Sequence, residues 1–466
     1  MNRAGLRDHV PSVIVAALAS AFGVALLQTT GLLARIIAAD DVTGDSATVA
    51  VMLQVLATVF IAIAVYVGAV VTANTVATII AGRIRTIALL RVIGSSASAQ
   101  RRAIAREGLV AGIVGGALGA VAGWLLVIVV VAVGSSVGFL DDVDATAVQS
   151  TVLLPVVAVV LTTWSATWSG SRRVLTVSPI QAAGAAVEST REQAAGHRGR
   201  NAVALILAVA GTLLLGAGVF VGLVDPLGVL VGLVGGMLSF TGLVLGADRI
   251  MPPMLRIVGR MFGRSAPARL AAENAVRYPE RSSRTTIGLV IGVTLVTMFA
   301  VALASYGLII REAQRAQPEV YQGVDEVLVI TLVVFSVLLG FSALIAAVGM
   351  INNLSLSVLQ RRRELGLLRA LGFTAAQVRL MILAESAQLS LASVLLGLVL
   401  GTAYGWVGAQ SLLGSITGGP GLVVPVVPVE LVIVMLVGGA VLSGVASVVP
   451  VRRATGIAPV AALAVD

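Results

Sequence analysis

Ten apolar runs, most about twenty residues or longer, leave this chain few folds to choose from. They are Val10–Leu33, Val49–Ile80, Leu109–Val133, Thr151–Ser169, Ala202–Val224, Leu227–Ala247, Ile287–Ile310, Val327–Met350, Leu380–Val407 and Leu431–Val449. A helix of roughly 20 apolar residues crosses the hydrocarbon core. Inside lipid it satisfies its backbone polar groups within itself. With 58% of residues hydrophobic and only 11% charged, no soluble core could absorb this much apolar surface. The expected fold is therefore an all-α polytopic membrane protein. The segment Asn2–His9 and the run behind it read as an uncleaved anchor rather than a removed signal peptide.

The charges orient the bundle. All 31 basic residues are Arg, and 28 of them share one side if the N-terminus lies inside. Only Arg35, Arg311 and Arg315 fall outside. Positive charge is retained on the cytoplasmic side of membrane proteins, so both termini are expected there. The same rule accounts for the net charge of +9 without nucleic acid, and no nucleic-acid partner is expected. Arg-only usage also points to a GC-rich, bacterial genome. The chain has no Cys and only His9 and His197, so it lacks material for disulfides, Cys/His zinc sites or His-based catalysis. Without Lys it cannot build a P-loop, so no enzymatic activity and no bound cofactor are expected.

One segment occurs twice. Residues Arg83–Glu107 align without a gap on Arg361–Glu385, sharing 10 of 25 residues. The shared pairs include Arg85/Arg363, Arg91/Arg369, Gly94/Gly372 and Glu107/Glu385. The stretches SRRVLTVSPIQAA (Ser171–Ala183) and PVRRATGIAPVAAL (Pro450–Leu463) likewise match, each placing Pro six residues after the second Arg. This is an internal duplication. An even number of spans separates the copies, so the repeat is parallel: two four-span blocks joined by a two-span hairpin. The expected units are residues 1–183, a linker and hairpin at 184–253, and an interfacial elbow with the second block at 254–466. The polar stretch Ala182–Asn201 reads as linker. Arg256, Arg260 and Arg264, spaced i, i+4, predict a helix at the inner headgroup layer within Met254–Arg284.

In Gln360–Arg379, leucines make an apolar face and Arg361, Arg362, Arg363 and Arg369 a charged one. Gly372 stops the helix, because Gly enters the left-handed region without strain. A short amphipathic helix across the bundle, turning into the ninth span, could dock in a groove of a soluble partner. The alternative is a loop that only obeys the charge rule. Glu107 and Glu385 fall near the inner boundary at equivalent repeat positions, which favours a structural role. Gln54, Asn74, Asn352 and Asn353 are the polar residues of the spans. Trp124, Trp164, Trp168 and Trp406 read as interface belts.

RELGLLRALG (Arg363–Gly372) resembles the signature of the FtsX-like permeases, the MacB-type membrane subunits of ABC transporters. The likeness extends through Glu385 and its Gly-rich span, the closing Arg-Arg…Pro motifs, and ARLAAENAVRYPERSSRTT (Ala268–Thr286), similar to the family's elbow. It implies that Arg363, Glu364, Gly366, Arg369 and Gly372 form a coupling helix seated in an ATPase subunit, with Arg85, Arg91 and Gly94 as the weaker copy. The first copy departs from the pattern, with Thr86 for Glu and Ala88 for Gly. The family's large outer domain is replaced by the short Leu33–Thr48 and Ile310–Glu326, and the ten-span layout resembles the bacitracin-detoxification permeases without that domain. The resemblance thus implies a multi-pass cell-membrane efflux permease with two copies of a separate ATPase, which carry the ATP and Mg. Uncharged spans and small outer loops point to a hydrophobic or lipid-like cargo. The alternative is an FtsX-like subunit that transmits motion or senses without moving cargo. A secondary transporter would need a mid-membrane charge, which the spans lack.

Overall fold

A computed structural model describes residues 3–39, 47–92, 94–136, 152–171, 198–262, 265–277, 279–321, 340, 342–344, 368–369 and 371–455. Among these there are helices and no strand. The long helices are α1 (Arg3–Ala39), α2 (Ala47–Val92), α3 (Ala97–Ser136), α4 (Leu153–Gly170), α5 (Arg198–Gly222) and α6 (Gly228–Leu245). After the short α7 (Ala247–Gly259) and α8 (Ala266–Arg277) come α9 (Pro279–Ala316), α10 (Ala375–Leu413) and α11 (Val429–Thr455). Eight helices among the described residues are long and apolar enough to cross a membrane. In α11 the described apolar stretch is shorter, Val429–Val441. The span expected at Val327–Met350 lies outside the described residues except at 340 and 342–344.

The two halves pack by the same rule. α1 lies against α3, and α9 lies against α10. In each pair a glycine seam lets the backbones meet. A Cβ on Gly123 would lie 2.6 Å from the Ala21 carbonyl oxygen, and one on Gly397 would lie 2.7 Å from the Val293 side chain. Small residues at such seams replace the hydrophobic drive that lipid removes. α4 then packs on α3 and α2, as α11 packs on α10. Between the halves, Phe299 of α9 meets Phe22 of α1 and Phe60 of α2, with ring centroids 6.3 and 6.2 Å apart.

The α5–α6 hairpin is closed at its base by an ion pair between Arg200 and Asp248, 2.5 Å apart. α5 and α6 both pack on α10, whereas the first half meets the hairpin through α2 against α6.

Two elements differ in form from the expectation. The elbow is broken: α7 runs into a short turn at Arg260–Phe262, then α8, then α9, which opens on Pro279. Proline suits a first helical position and cannot continue the helix before it. On α7 the core side carries Met251, Leu255 and Val258, while Arg256 and Ile257 are exposed, as are Arg260 and Met261 in the turn that follows. Arg264 is outside the described residues, as is most of the expected linker. The second difference is α2, whose helix continues unbroken through the first Arg-rich segment. At 46 residues it is about 69 Å long, over twice the hydrocarbon thickness. Its last turns form a stalk beyond the apolar stretch Gln54–Ala77.

Candidate functional site

The duplicated segment folds into a duplicated turn. Gly94 and Gly372 have φ of +98° and +100°, in the left-handed region that an L side chain enters at a cost. The Ser95 N–H donates to the Leu90 carbonyl at 2.9 Å, and the Phe373 N–H to the Leu368 carbonyl at 3.0 Å. Such bonds close a helix on its last free carbonyls. The next helix starts at once and is capped in each case. The Ser96 hydroxyl oxygen accepts from the Ala99 N–H at 3.2 Å. Thr374 and Gln377 form a reciprocal capping box, at 3.2 and 2.9 Å. Each cap satisfies donors that the first helical turn leaves open. α3 and α10 consequently begin at Ala97 and Ala375, the positions the duplication pairs.

The surroundings of the two turns differ. The second rests on the elbow, where Ala271 of α8 packs with Val378, Met381 and Ile382 of α10, joined by Leu368 and Phe373. Gln388, fully buried, donates to the Leu255 carbonyl of α7 at 2.7 Å and fastens the elbow to α10. The first turn is held from the side of α4. The Arg101 guanidinium sits 4.0 Å from the centre of the Trp168 ring, which stacks on Trp164. Beside the turns, Leu89 and Leu371 point apolar side chains outward.

Of the expected coupling residues, Gly94 and Gly372 form the turns and Arg369 lies half-buried just before the second. Arg85 and Arg91 belong to the last turns of α2. Arg363, Glu364 and Gly366 lie outside the described residues, as do Asn352 and Asn353. Glu107 and Glu385 occupy equivalent positions in α3 and α10, but Glu107 is half-buried and Glu385 buried. Gln54 is exposed and Asn74 half-buried on α2. Trp406, far along α10, donates to the Val423 carbonyl at 2.7 Å.

At the end of the bundle away from these turns lies a cavity of about 820 Å³. It is lined by residues between 56 and 70 of α2, by α6, by 291–310 of α9 and by 404–413 of α10. No charged residue lines it among the described residues. Three aromatic rings brace its inner part: Phe240 of the hairpin meets Tyr66 of the first half and Tyr404 of the second edge-on, with centroids 6.5 and 6.4 Å apart. The Tyr66 hydroxyl donates to the Met237 carbonyl at 3.0 Å and lies 2.8 Å from the Thr241 hydroxyl. The Tyr404 hydroxyl is 3.0 Å from that of Ser239. Sequence reasoning did not single out these tyrosines or Gln388. The available signal was rarity, since aromatics are 4% of the chain and three of these stand within apolar helices.

The model of the FtsX-like permease C-terminal domain matches residues 58–179 and again 336–459, together more than half of the chain. The chain belongs to the FtsX-like permease family. The two matches begin at positions that the internal duplication pairs, so each contains one turn and the helix that follows it. The chain is also similar to the uncharacterized ABC transporter permease YknZ of Bacillus subtilis (strain 168), 31% identical over 105 residues. That alignment spans 22% of this chain and 25% of the relative, about a quarter of its length.

Proposed function

We propose that this chain is the membrane subunit of an ABC transporter in the cell membrane. It would work with two copies of a separate ATPase, and its cargo would be hydrophobic or amphipathic, exported or extracted. The observation that carries this reading is the repeated turn at Gly94 and Gly372. The cavity is lined by the earlier part of α2 and the last part of α10, so the end of α2 and the start of α10 share the opposite end of the bundle. Two equivalent turns at one end offer two docking points, each with arginines and an outward leucine. A soluble subunit with an apolar groove and acidic rim suits them. The name of the B. subtilis relative supports an ATPase as that subunit.

The sequence has no Lys for a P-loop, so ATP and Mg belong on the partner. Closure of the ATPase dimer draws the two turns together, and the long helices behind them carry the motion to the cavity. With the arginines inside, both termini lie in the cytoplasm. The second coupling segment, Arg363, Glu364, Gly366, Arg369 and Gly372, dominates. It keeps the acid and glycine that the first copy replaces with Thr86 and Ala88, and its turn rests on the elbow.

The test is reconstitution with the ATPase. Arg369→Glu should abolish most stimulation of ATP hydrolysis, and Arg91→Glu should leave a substantial part. A larger loss from Arg91→Glu would refute the asymmetry, and an ATPase that never co-purifies would refute the whole reading.

A further inference from the structure

We infer that the cavity between α2, α6, α9 and α10 is a binding site for an amphiphile with a long apolar tail. The tail lies inward against Phe60, Leu295 and Met298, and the polar end lies at the rim formed by Tyr321 and Thr417. This inference rests on the transporter reading and deepens it by narrowing the cargo to amphiphiles with a long apolar tail and giving it a seat.

Three observations carry it. The first is a polarity gradient. The inner hydroxyls of Tyr66 and Tyr404 are already bonded to the hairpin, Thr294 adds one small hydroxyl among apolar side chains, and no described residue there is charged, so that end suits hydrocarbon. The outer end adds Ser415, Thr417 and Tyr321. A volume of about 820 Å³ falls in the range of pockets that enclose small ligands.

The second is glycine without close packing. A Cβ on Gly408 would meet nothing within 4 Å, and one on Gly236 only Leu215, at 3.9 Å. Both line the cavity. Glycine inside a helix is destabilising relative to Ala. At Gly123 and Gly397 close helix contact offsets that cost, whereas at Gly408 and Gly236 the absent side chain leaves open volume.

The third is a braced rim. The Tyr321 hydroxyl donates to the Thr417 carbonyl at 2.7 Å, and burial pushes this phenol up, so it stays a donor. Gln410 donates to the Gly421 carbonyl at 2.8 Å and accepts from the Val423 N–H at 3.0 Å. The mouth is therefore held by fixed loops. Around it Val224, Val320, Leu422 and Val424 stand exposed, an apolar lip across which a tail passes from the lipid.

The experiment uses the full chain in phosphatidylcholine vesicles, without ATPase. The probe is a lysophospholipid carrying a photoreactive diazirine at the end of its acyl chain. Labelling should appear on α2 residues 56–70 and α9 residues 291–302, and unlabelled lysophospholipid should saturate it away. Gly408→Trp and Gly236→Trp, which fill the void, should lose the label. Gly408→Ala should keep it, as should Leu213→Trp on the exposed side of α5. Label that cannot be competed away, or that survives both Trp variants, overturns the proposal. If a Trp variant fails to fold, competition in the unaltered chain decides. No ATPase is present, so failure here leaves the coupling proposal standing, and the Arg369→Glu result does not bear on this one.

Discussion

Gly372 carries at one position what its coupling segment needs, a φ of +100° with open space around the missing side chain. Any loss on substitution therefore reports backbone conformation rather than a clash. Gly372→Ala should lower stability by about 1–2 kcal/mol, read as a lower thermal midpoint. Gly372→Asn should cost less, because Asn enters the left-handed region more readily. Equal losses would show that the turn is not held by φ. Gln388 is the converse case, a residue defined by its contacts. Gln388→Leu removes the donor to the Leu255 carbonyl and should cost about 1–3 kcal/mol in the same melt. Gly372 was legible in the sequence, because a glycine after an Arg- and Leu-rich run has one conformational use. Gln388 was not, because its value depends on a carbonyl 133 residues away.

Among the elements, the apolar runs placed the eight long described helices, since a stretch that must satisfy its own backbone in lipid has no alternative. However, α2 runs on to Val92 and α3 starts already at Ala97, well outside the runs ending at Ile80 and starting at Leu109. The repeat was legible too, and the structure adds that α3 and α10 start at positions the repeat pairs. Continuity of α2 was not. The short crossing helix expected from Gln360 to its stop at Gly372 lies largely outside the described residues, whereas its first copy, Gly82–Val92, holds no Pro and continues α2. The elbow errs the opposite way, since Pro267 and Pro279 divide a segment whose arginine spacing alone looks continuous. The α3 and α10 seams yield a prediction at this scale. Gly123→Leu and Gly397→Leu should each destabilise by about 1–3 kcal/mol or prevent assembly, as overpacking does. Gly116→Ala should be tolerated, because its added carbon lies 3.4 Å from Val156. Unfolding in detergent, followed by helical signal, distinguishes them.

For the molecule as a whole, the hairpin is the part whose role the sequence concealed. Its two spans carry no motif, and the cavity they help enclose exists only once α6 sits between α2 and α10. Its bonds to the halves are unequal. Both α5 and α6 pack on α10, and only α6 meets α2 appreciably, so the hairpin should travel with the second half and slide against the first. The natural chain has no Cys, which makes paired cysteines clean reporters of that motion. Tyr66→Cys with Thr241→Cys places a pair across the sliding joint, and Ser239→Cys with Tyr404→Cys places one across the fixed joint. A short bismaleimide joining the first pair should arrest cargo-dependent ATP hydrolysis in the reconstituted complex. The same reagent on the second pair should leave most of it. Equal arrest at both joints would mean that the hairpin moves independently of either half, and no arrest at either would mean that coupling bypasses the cavity.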